Sequence, residues 1–461
     1  MKVCIPTGIA HFSGENMNRL SDKSKIINWP IELLLSTLNI SHINKKEIKL
    51  LLWAWVYIFS LFLSYYILRP IRDELGVAGG VKNLPWLFTG TLLAMLIVNP
   101  IFSYLVKRCS RERFIKLTYR FFSFNLLLFL AALQFSSTEQ NVWIGRVFFI
   151  WVSVFNLFVV SVFWSFVVDI FNSEQGKRLF GFLTAGATIG GIAGSSLTSS
   201  MVDGIGQNGL LLIAMLLIEC SVFASQRLAN VHQRLGKQVG TLPDDQKPIG
   251  GGIFTGMAHT FRSPYLFSIA LFIFFYSTTS TILYFHQASI AESVFSDRNS
   301  RTAFFANIDF WVNVFTLLFQ LLLTGRILGW LGVAFTLCAL PLITTLGFPA
   351  LIGYPTIAIF VAVQVARRVS NFALARPARE ILFTSVTRED RYKTKNFIDT
   401  FVYRAGDQLA SWTYAGFIAA GLSLSGIAVV AVPVSCLWLM LSIWLGRKHE
   451  KWGDVPIKSN T

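Results

Sequence analysis

Runs of about twenty apolar residues recur along most of this chain, and they exclude nearly every soluble fold. Inside hydrocarbon each backbone N–H and C=O must find its partner within its own segment, so runs of this length cross as helices. They lie near 49–71, 85–106, 114–135, 143–169, 179–202, 208–225, 264–285, 302–324, 332–353, 355–383, 396–421 and 424–446. The expected fold is an all-α polytopic membrane protein with about twelve transmembrane helices. Composition agrees: 54% of residues are hydrophobic and 14% charged, where soluble chains carry about 25% charged.

Forty Lys and Arg against 24 Asp and Glu give a net charge of +16. On a soluble chain this would suggest nucleic acid, but no basic-aromatic module is present. The loops account for the excess instead. Lys107, Arg108, Arg111 and Arg113 follow the second span, and Lys177 and Arg178 the fourth. Arg227, Arg234, Lys237 and Lys247 follow the sixth, and Arg326 the eighth. Arg388, Arg391, Lys393 and Lys395 follow the tenth, and Arg447, Lys448 and Lys451 the twelfth. The opposite loops at 136–141, 203–207 and 422–423 carry none, and 286–301 keeps two, Arg298 and Arg301. This alternation predicts cytoplasmic termini.

The expected organisation is a basic N-terminal tail (1–47), a first six-helix bundle (48–225), a polar linker (226–262), a second six-helix bundle (263–446) and a C-terminal tail (447–461). Residues 29–43 can lie flat on the membrane as an amphipathic helix. The linker holds Gly250-Gly251-Gly252 and Pro243-Asp244-Asp245, a turn-rich composition. Six plus six helices joined by a long cytoplasmic loop resembles the major-facilitator arrangement of parallel repeats. The five cysteines (Cys4, Cys109, Cys220, Cys338, Cys436) form no CxxC pair, and the six histidines show no ligand spacing, so no metal is expected. There is no Walker loop, HExxH or paired aspartyl-protease motif, so the chain reads as no enzyme and needs no cofactor.

A charge at the bilayer centre costs roughly 2.5–3.5 kcal/mol on insertion scales. The stretch from Arg367 to Asp407 accepts that cost repeatedly, which implies a wet cavity or mutual pairing. In the tenth span Arg367 and Arg368 should lie deepest, and Arg368, Asn371, Ala375 and Arg379 share a stripe broken by Pro377. In the eleventh, Asp399, Tyr403 and Asp407 share a stripe, and Arg404 can pair with Asp407. In the first span, Arg69, Arg72 and Asp73 share a face, and Pro70 should loosen the helix beside them. Two guanidinium forks suit a phosphate or carboxylate; alternatively they pair with Asp73 and Glu74 at the outer mouth. Asp309 in the eighth span either takes a proton or pairs with an arginine of the tenth. Asp169 ends the fourth span as a candidate for charge balance. Gly186, Gly190 and Gly194 form a doubled small-xxx-small face, read as helix packing or as a sliding seam.

Three segments resemble motifs of the nucleotide (ATP/ADP-type) carriers of plastids and intracellular bacteria. YYILRPIRD (65–73) resembles Y-x-I-L-R-x-L-K-D. EQGKRLFGFLTAGATIGG (174–191) resembles E-A-K-R-F-Y-x-L-F-G-x-G-A-N-x-G, and DRYKTKNFID (390–399) resembles K-x-K-x-x-I-D. The match is strongest to the bacterial branch whose substrates are uncertain. The resemblance puts Arg69 and Asp73 on the motif's arginine and aspartate, and Arg72 on its lysine. Lys393, Lys395 and Asp399 keep their places. The family's R-x-G-K appears as Arg404-Ala405-Gly406-Asp407, an acid in place of a cation. In the loop after the second span, Arg108 and Arg111 fit the major-facilitator pattern G-x-x-x-D-R-x-G-R, while Lys107 replaces its acid.

The resemblance implies a secondary active transporter of an organic anion, a nucleotide or phosphate ester, working by alternating access. Arg69, Arg72, Asp73, Arg367, Arg368, Asp399, Tyr403 and Arg404 would bind the substrate. Asp309, Asp407 and Asp169 would balance charge or couple protons. Its partners would be a small anion and the lipid bilayer, with no nucleic acid, and it would work as a monomer in a bacterial inner membrane. The alternatives are a non-transporting sensor or scaffold on a carrier fold, and a major-facilitator carrier of another small solute.

Overall fold

A computed structural model describes residues 45–108, 111–171, 173–236, 253–386, 394–395 and 397–453. The expected membrane-surface helix at 29–43 lies outside the described residues. The described residues form helices and no strand. The order is α1 (Lys45–Ala78), α2 (Leu84–Arg108), α3 (Arg111–Phe135), α4 (Thr138–Ile170), α5 (Ser173–Gly236), α6 (Ile253–Arg262) and α7 (Pro264–Val294). Then follow α8 (Arg298–Leu322), α9 (Thr324–Gly353), α10 (Ile357–Ser370), α11 (Arg376–Leu382), α12 (Tyr403–Ala419) and α13 (Leu424–Gly453).

Ten helical stretches are long and apolar enough to cross a membrane. One of them is double. α5 breaks at Gly206, which has φ 67°, so the expected loop at 203–207 reduces to one residue. No atom stands within 4 Å of a Cβ built there, so the left-handed φ, not crowding, selects glycine. The remaining pass is the polar one: a π-helical turn Ile398–Val402 leads into α12 and carries Asp399, Arg404 and Asp407. Twelve passes result, as expected. Within the segment 226–262, α5 runs on to Gly236 and α6 begins at Ile253.

Glycines set how α1 sits. A Cβ on Gly190 would lie 2.6 Å from the Phe59 carbonyl, and one on Gly194 would lie 2.5 Å from that of Leu63. Gly186 meets Trp55 at 2.7 Å. The small-residue face therefore clamps α5 onto α1 backbone to backbone, association by packing. The seam toward α8 falls instead on Gly191, whose Cβ would stand 2.8 Å from Asn313 Oδ1.

The two internal prolines near candidate charges behave differently. Pro377 cannot donate to the carbonyl four residues earlier, and a π-helical turn (Asn371–Ala375) precedes it. The Ala373 carbonyl accepts instead from Thr324 Oγ1 at 2.9 Å, and that of Phe372 from Gln320 Nε2 at 3.4 Å. α1, by contrast, runs through Pro70 without a break, so the loosening expected there is absent.

Candidate functional site

A cavity of ≈ 190 Å³ opens between helices from both halves of the chain. α1 supplies Arg69 and Arg72, α2 Phe88 and Thr91, and α4 Phe149 and Ser153. α7 supplies Ser280, Thr281 and Tyr284, and α12 supplies Tyr403, Arg404, Asp407 and Gln408. Two walls are thus cationic, and apolar rings fill the space between them. The Arg72 guanidinium sits 5.0 Å from the Phe149 ring centroid, an arrangement in which the ring face favours the cation.

Each charge at the cavity has an answering group. Arg72 donates to Asp73 Oδ1 at 2.5 Å, and the Tyr284 hydroxyl donates to the same oxygen at 2.9 Å. Arg404 donates to Asp407 Oδ2 at 3.2 Å. Ser277 and Thr281 donate to Asp407 Oδ1 at 2.6 and 2.9 Å. Arg69 does not stay with its own helix. Its Nη1 lies 3.2 Å from Oδ1 of Asp309 on α8, and Nη2 of Arg368 on α10 lies 2.7 Å from that same oxygen. Of the two readings for Asp309, the ion pair with the tenth span is the one seen.

Arg367 and Arg368 diverge. Arg367 is only 1% exposed and donates to the Tyr276 carbonyl at 3.2 Å, with Thr279 and Ser280 hydroxyls at 3.4 Å. Asn371, one turn on, donates to Tyr276 Oη at 2.9 Å. The expected stripe of Arg368 with Asn371 is therefore not formed: Asn371 shares the α7 side with Arg367, while Arg368 turns to Asp309. Arg367 stands behind Ser280 and is not in the cavity wall. Asp399 is also outside the wall, 3.5 Å from Arg379, and Lys395 pairs with Glu380 at 2.5 Å. Asp169 lies in α4, and its side chain, like Lys393, falls outside the described residues. Tyr403 lines the cavity, whereas Tyr66 of the first-span motif packs against Gly194.

A second network ties α1 to α5 and α8. Glu74, fully buried on α1, accepts from Arg298 at 3.4 Å and Arg301 at 3.3 Å, both on α8. Gln207 of α5 donates to Glu74 at 2.8 Å and to Thr302 at 2.9 Å. Sequence reasoning missed this tie, although a signal was present: Arg298 and Arg301 are cations on the side where the loops at 136–141, 203–207 and 422–423 carry none. The hydroxyls of Ser277, Thr281 and Tyr284 had no such signal, because nothing in an apolar run distinguishes a cavity-facing hydroxyl from a packed one.

No family model matches the chain. ADP,ATP carrier protein 1 of Chlamydia trachomatis serovar D is 22% identical over 469 aligned residues, covering 87% of this chain and 88% of the carrier. In fold, the chain is similar to a bacterial homologue of the iron transporter ferroportin in its inward-facing state, with TM-score 0.61, 12% identity, and coverage of 90% and 100%. It is also similar to a POT family transporter in complex with 5-aminolevulinic acid, with TM-score 0.58, 12% identity, and coverage of 87% and 96%. A bacterial homologue of the human lysosomal transporter Spinster gives TM-score 0.56, 16% identity, and coverage of 88% and 99%. The fold is that of the major-facilitator-type transporters, and with a carrier matching along most of its length the chain is a multi-pass membrane transporter rather than an enzyme.

Proposed function

We propose that the chain is a secondary carrier for an organic anion, with a nucleotide or phosphate ester as the fitting class. The observation that carries this reading is the placement of guanidiniums from both halves, Arg69 and Arg72 against Arg404, around one cavity. Its wall carries three guanidiniums (Arg69, Arg72, Arg404) against one carboxylate (Asp407). The excess favours a ligand bearing more than one negative charge. The similarity to an ADP,ATP carrier points to the same class.

The cavity is smaller than the roughly 300–1,000 Å³ of typical ligand sites, so a nucleotide requires it to widen. Rocking of segment 48–225 against 263–446 supplies that widening, with opening at the Glu74 end alternating with opening at the other. The loop charges favour cytoplasmic termini in a bacterial inner membrane.

Uptake into proteoliposomes tests the reading. Labelled nucleotides, phosphate esters and carboxylates are offered in turn, with and without counter-substrate inside. Arg72→Ala is expected to abolish uptake at unchanged membrane abundance. Uptake of neutral or cationic solutes alone, or an active Arg72→Ala protein, would refute the anion assignment.

A further inference from the structure

The three acids beside the cavity differ in who holds them. Asp73 is held by Arg72, its chain neighbour, and by Tyr284. Asp407 is held by Arg404 on its own helix and by two hydroxyls, so both its oxygens are occupied. Asp309 alone has both partners on other helices, Arg69 from the first half and Arg368 from the second. Both crowd Oδ1, and Oδ2 is buried with no hydrogen-bond partner. Neither contact is aligned as a hydrogen bond; Nη2 of Arg368 has no hydrogen-bond partner although it stands 2.7 Å away.

Access is unequal as well. Arg69 lines the cavity and its side chain is 20% exposed, whereas Asp309 and Arg368 are outside the wall and their side chains are 3% and 10% exposed. An anion entering the cavity meets Arg69 and not Asp309.

We infer that Asp309 is a tethered competitor for the substrate: it occupies Arg69 while the cavity is empty and yields it to the entering anion. This rests on the anion-carrier reading and assigns one residue a role within it. Arg368 makes the exchange feasible. When Arg69 leaves, the carboxylate keeps its closer cation, so no buried charge is left bare, a state that would be strongly unfavourable. Arg69 is also the link from Asp309 to the first half, so the same exchange releases α1 from α8 at this level. The empty carrier is thereby tied across its halves at this level, and the loaded one loses this tie and keeps the one at Glu74. Asp309 touches no substrate; it positions Arg69.

The test is equilibrium binding of ADP and, separately, inorganic pyrophosphate to the purified full-length protein. Removing a competitor that holds Arg69 nine-tenths of the time would tighten binding about tenfold. Asp309→Asn is therefore expected to bind more tightly while maximal exchange does not rise, and Asp309→Glu to return affinity toward wild type. Asp309→Asn strands Arg368, so Asp309→Asn/Arg368→Gln, which removes one charge of each sign, is measured beside it with the same tightening expected. A residue that merely braces the fold would leave affinity unchanged or weaken it, and that result in the folded double variant overturns the inference. Wild-type binding that neither variant tightens refutes the competitor alone. Absence of binding in wild type and variants alike refutes the anion carrier, and the competitor with it.

Discussion

Glu74 and Asp309 are each a buried carboxylate set between two arginines, and they are satisfied to opposite degrees. Glu74 has both oxygens engaged, Oε2 by Gln207 and Arg298 and Oε1 by Arg301, all as hydrogen bonds. Asp309 has two cations crowded on one oxygen and the other oxygen unpartnered. Charge count is equal; coordination is not. A fully satisfied buried network fixes geometry, while a half-satisfied one keeps capacity to change partners. The difference separates a tie from a switch. Both act on α1, where Arg69 and Glu74 stand five residues apart in one unbroken helix, so the two sites share one element.

The comparison is most open to challenge at the tie. Glu74→Gln keeps shape and leaves Arg298 and Arg301 without a counter-charge. Breaking a buried ion pair costs roughly 3–5 kcal/mol. Arg298 is 43% exposed at its side chain and can recover water, while Arg301 at 13% cannot readily do so. A loss of about 3 kcal/mol is expected, read as a lowered Tm in detergent and as increased labelling of a cysteine placed at the Arg298 end of the cavity. Asp309→Asn strands Arg368 but weakens no aligned hydrogen bond, whereas Glu74→Gln weakens three, so its fall in Tm should be the smaller. The reverse order would erase the distinction between the two sites.

The next effect tests the shared helix. A methyl at Gly194 would press on the Leu63 carbonyl at 2.5 Å and on Tyr66 Cβ at 3.0 Å. Backbone cannot yield as a flexible side chain does, so α1 must shift, at about 1–3 kcal/mol. Gly194→Ala is expected to impair exchange and to raise labelling at the Arg298 position together. Gly181→Ala, which meets nothing within 4 Å, should do neither. If Gly194→Ala impairs one readout alone, α1 does not couple the sites.

How far these features were legible in sequence follows from the range of the interactions. Spans are local: apolar length is written in consecutive residues, and all twelve passes could be read. Charged residues on the spans were equally visible, and Arg69, Arg72, Tyr403, Arg404 and Asp407 do meet at one cavity. Partners were not visible. Arg69 could have paired with Asp73 four residues on, and helical spacing alone favours that; the fold gives it Asp309, 240 positions away. Arg367 and Arg368 are neighbours in sequence, yet a helix turns consecutive residues about 100° apart, and the π-helical turn after them shifts Asn371 again. Pairing across a bundle is decided by packing, which periodicity on one helix does not contain.

The smallest effect concerns how α8 presents its arginines to Glu74. Asp297 precedes the helix, and the Ser300 hydroxyl and backbone N–H, the latter at 2.8 Å, hold its carboxyl below the usual range. A carboxyl depressed in the folded state contributes stability above its unfolded value, about 3.9, and loses it as pH falls through the folded value. Asp297→Asn retains a capping side chain but no charge. The Tm gap between wild type and variant should therefore be small and positive at neutral pH and close as the medium is acidified below the ordinary carboxylate range. High salt should shrink it further, because the site is exposed. A gap that persists in acid would show that the negative charge does not set the start of α8. Arg298 and Arg301 would then owe their position to Glu74, Gln207 and the Phe295 carbonyl and not to the helix cap.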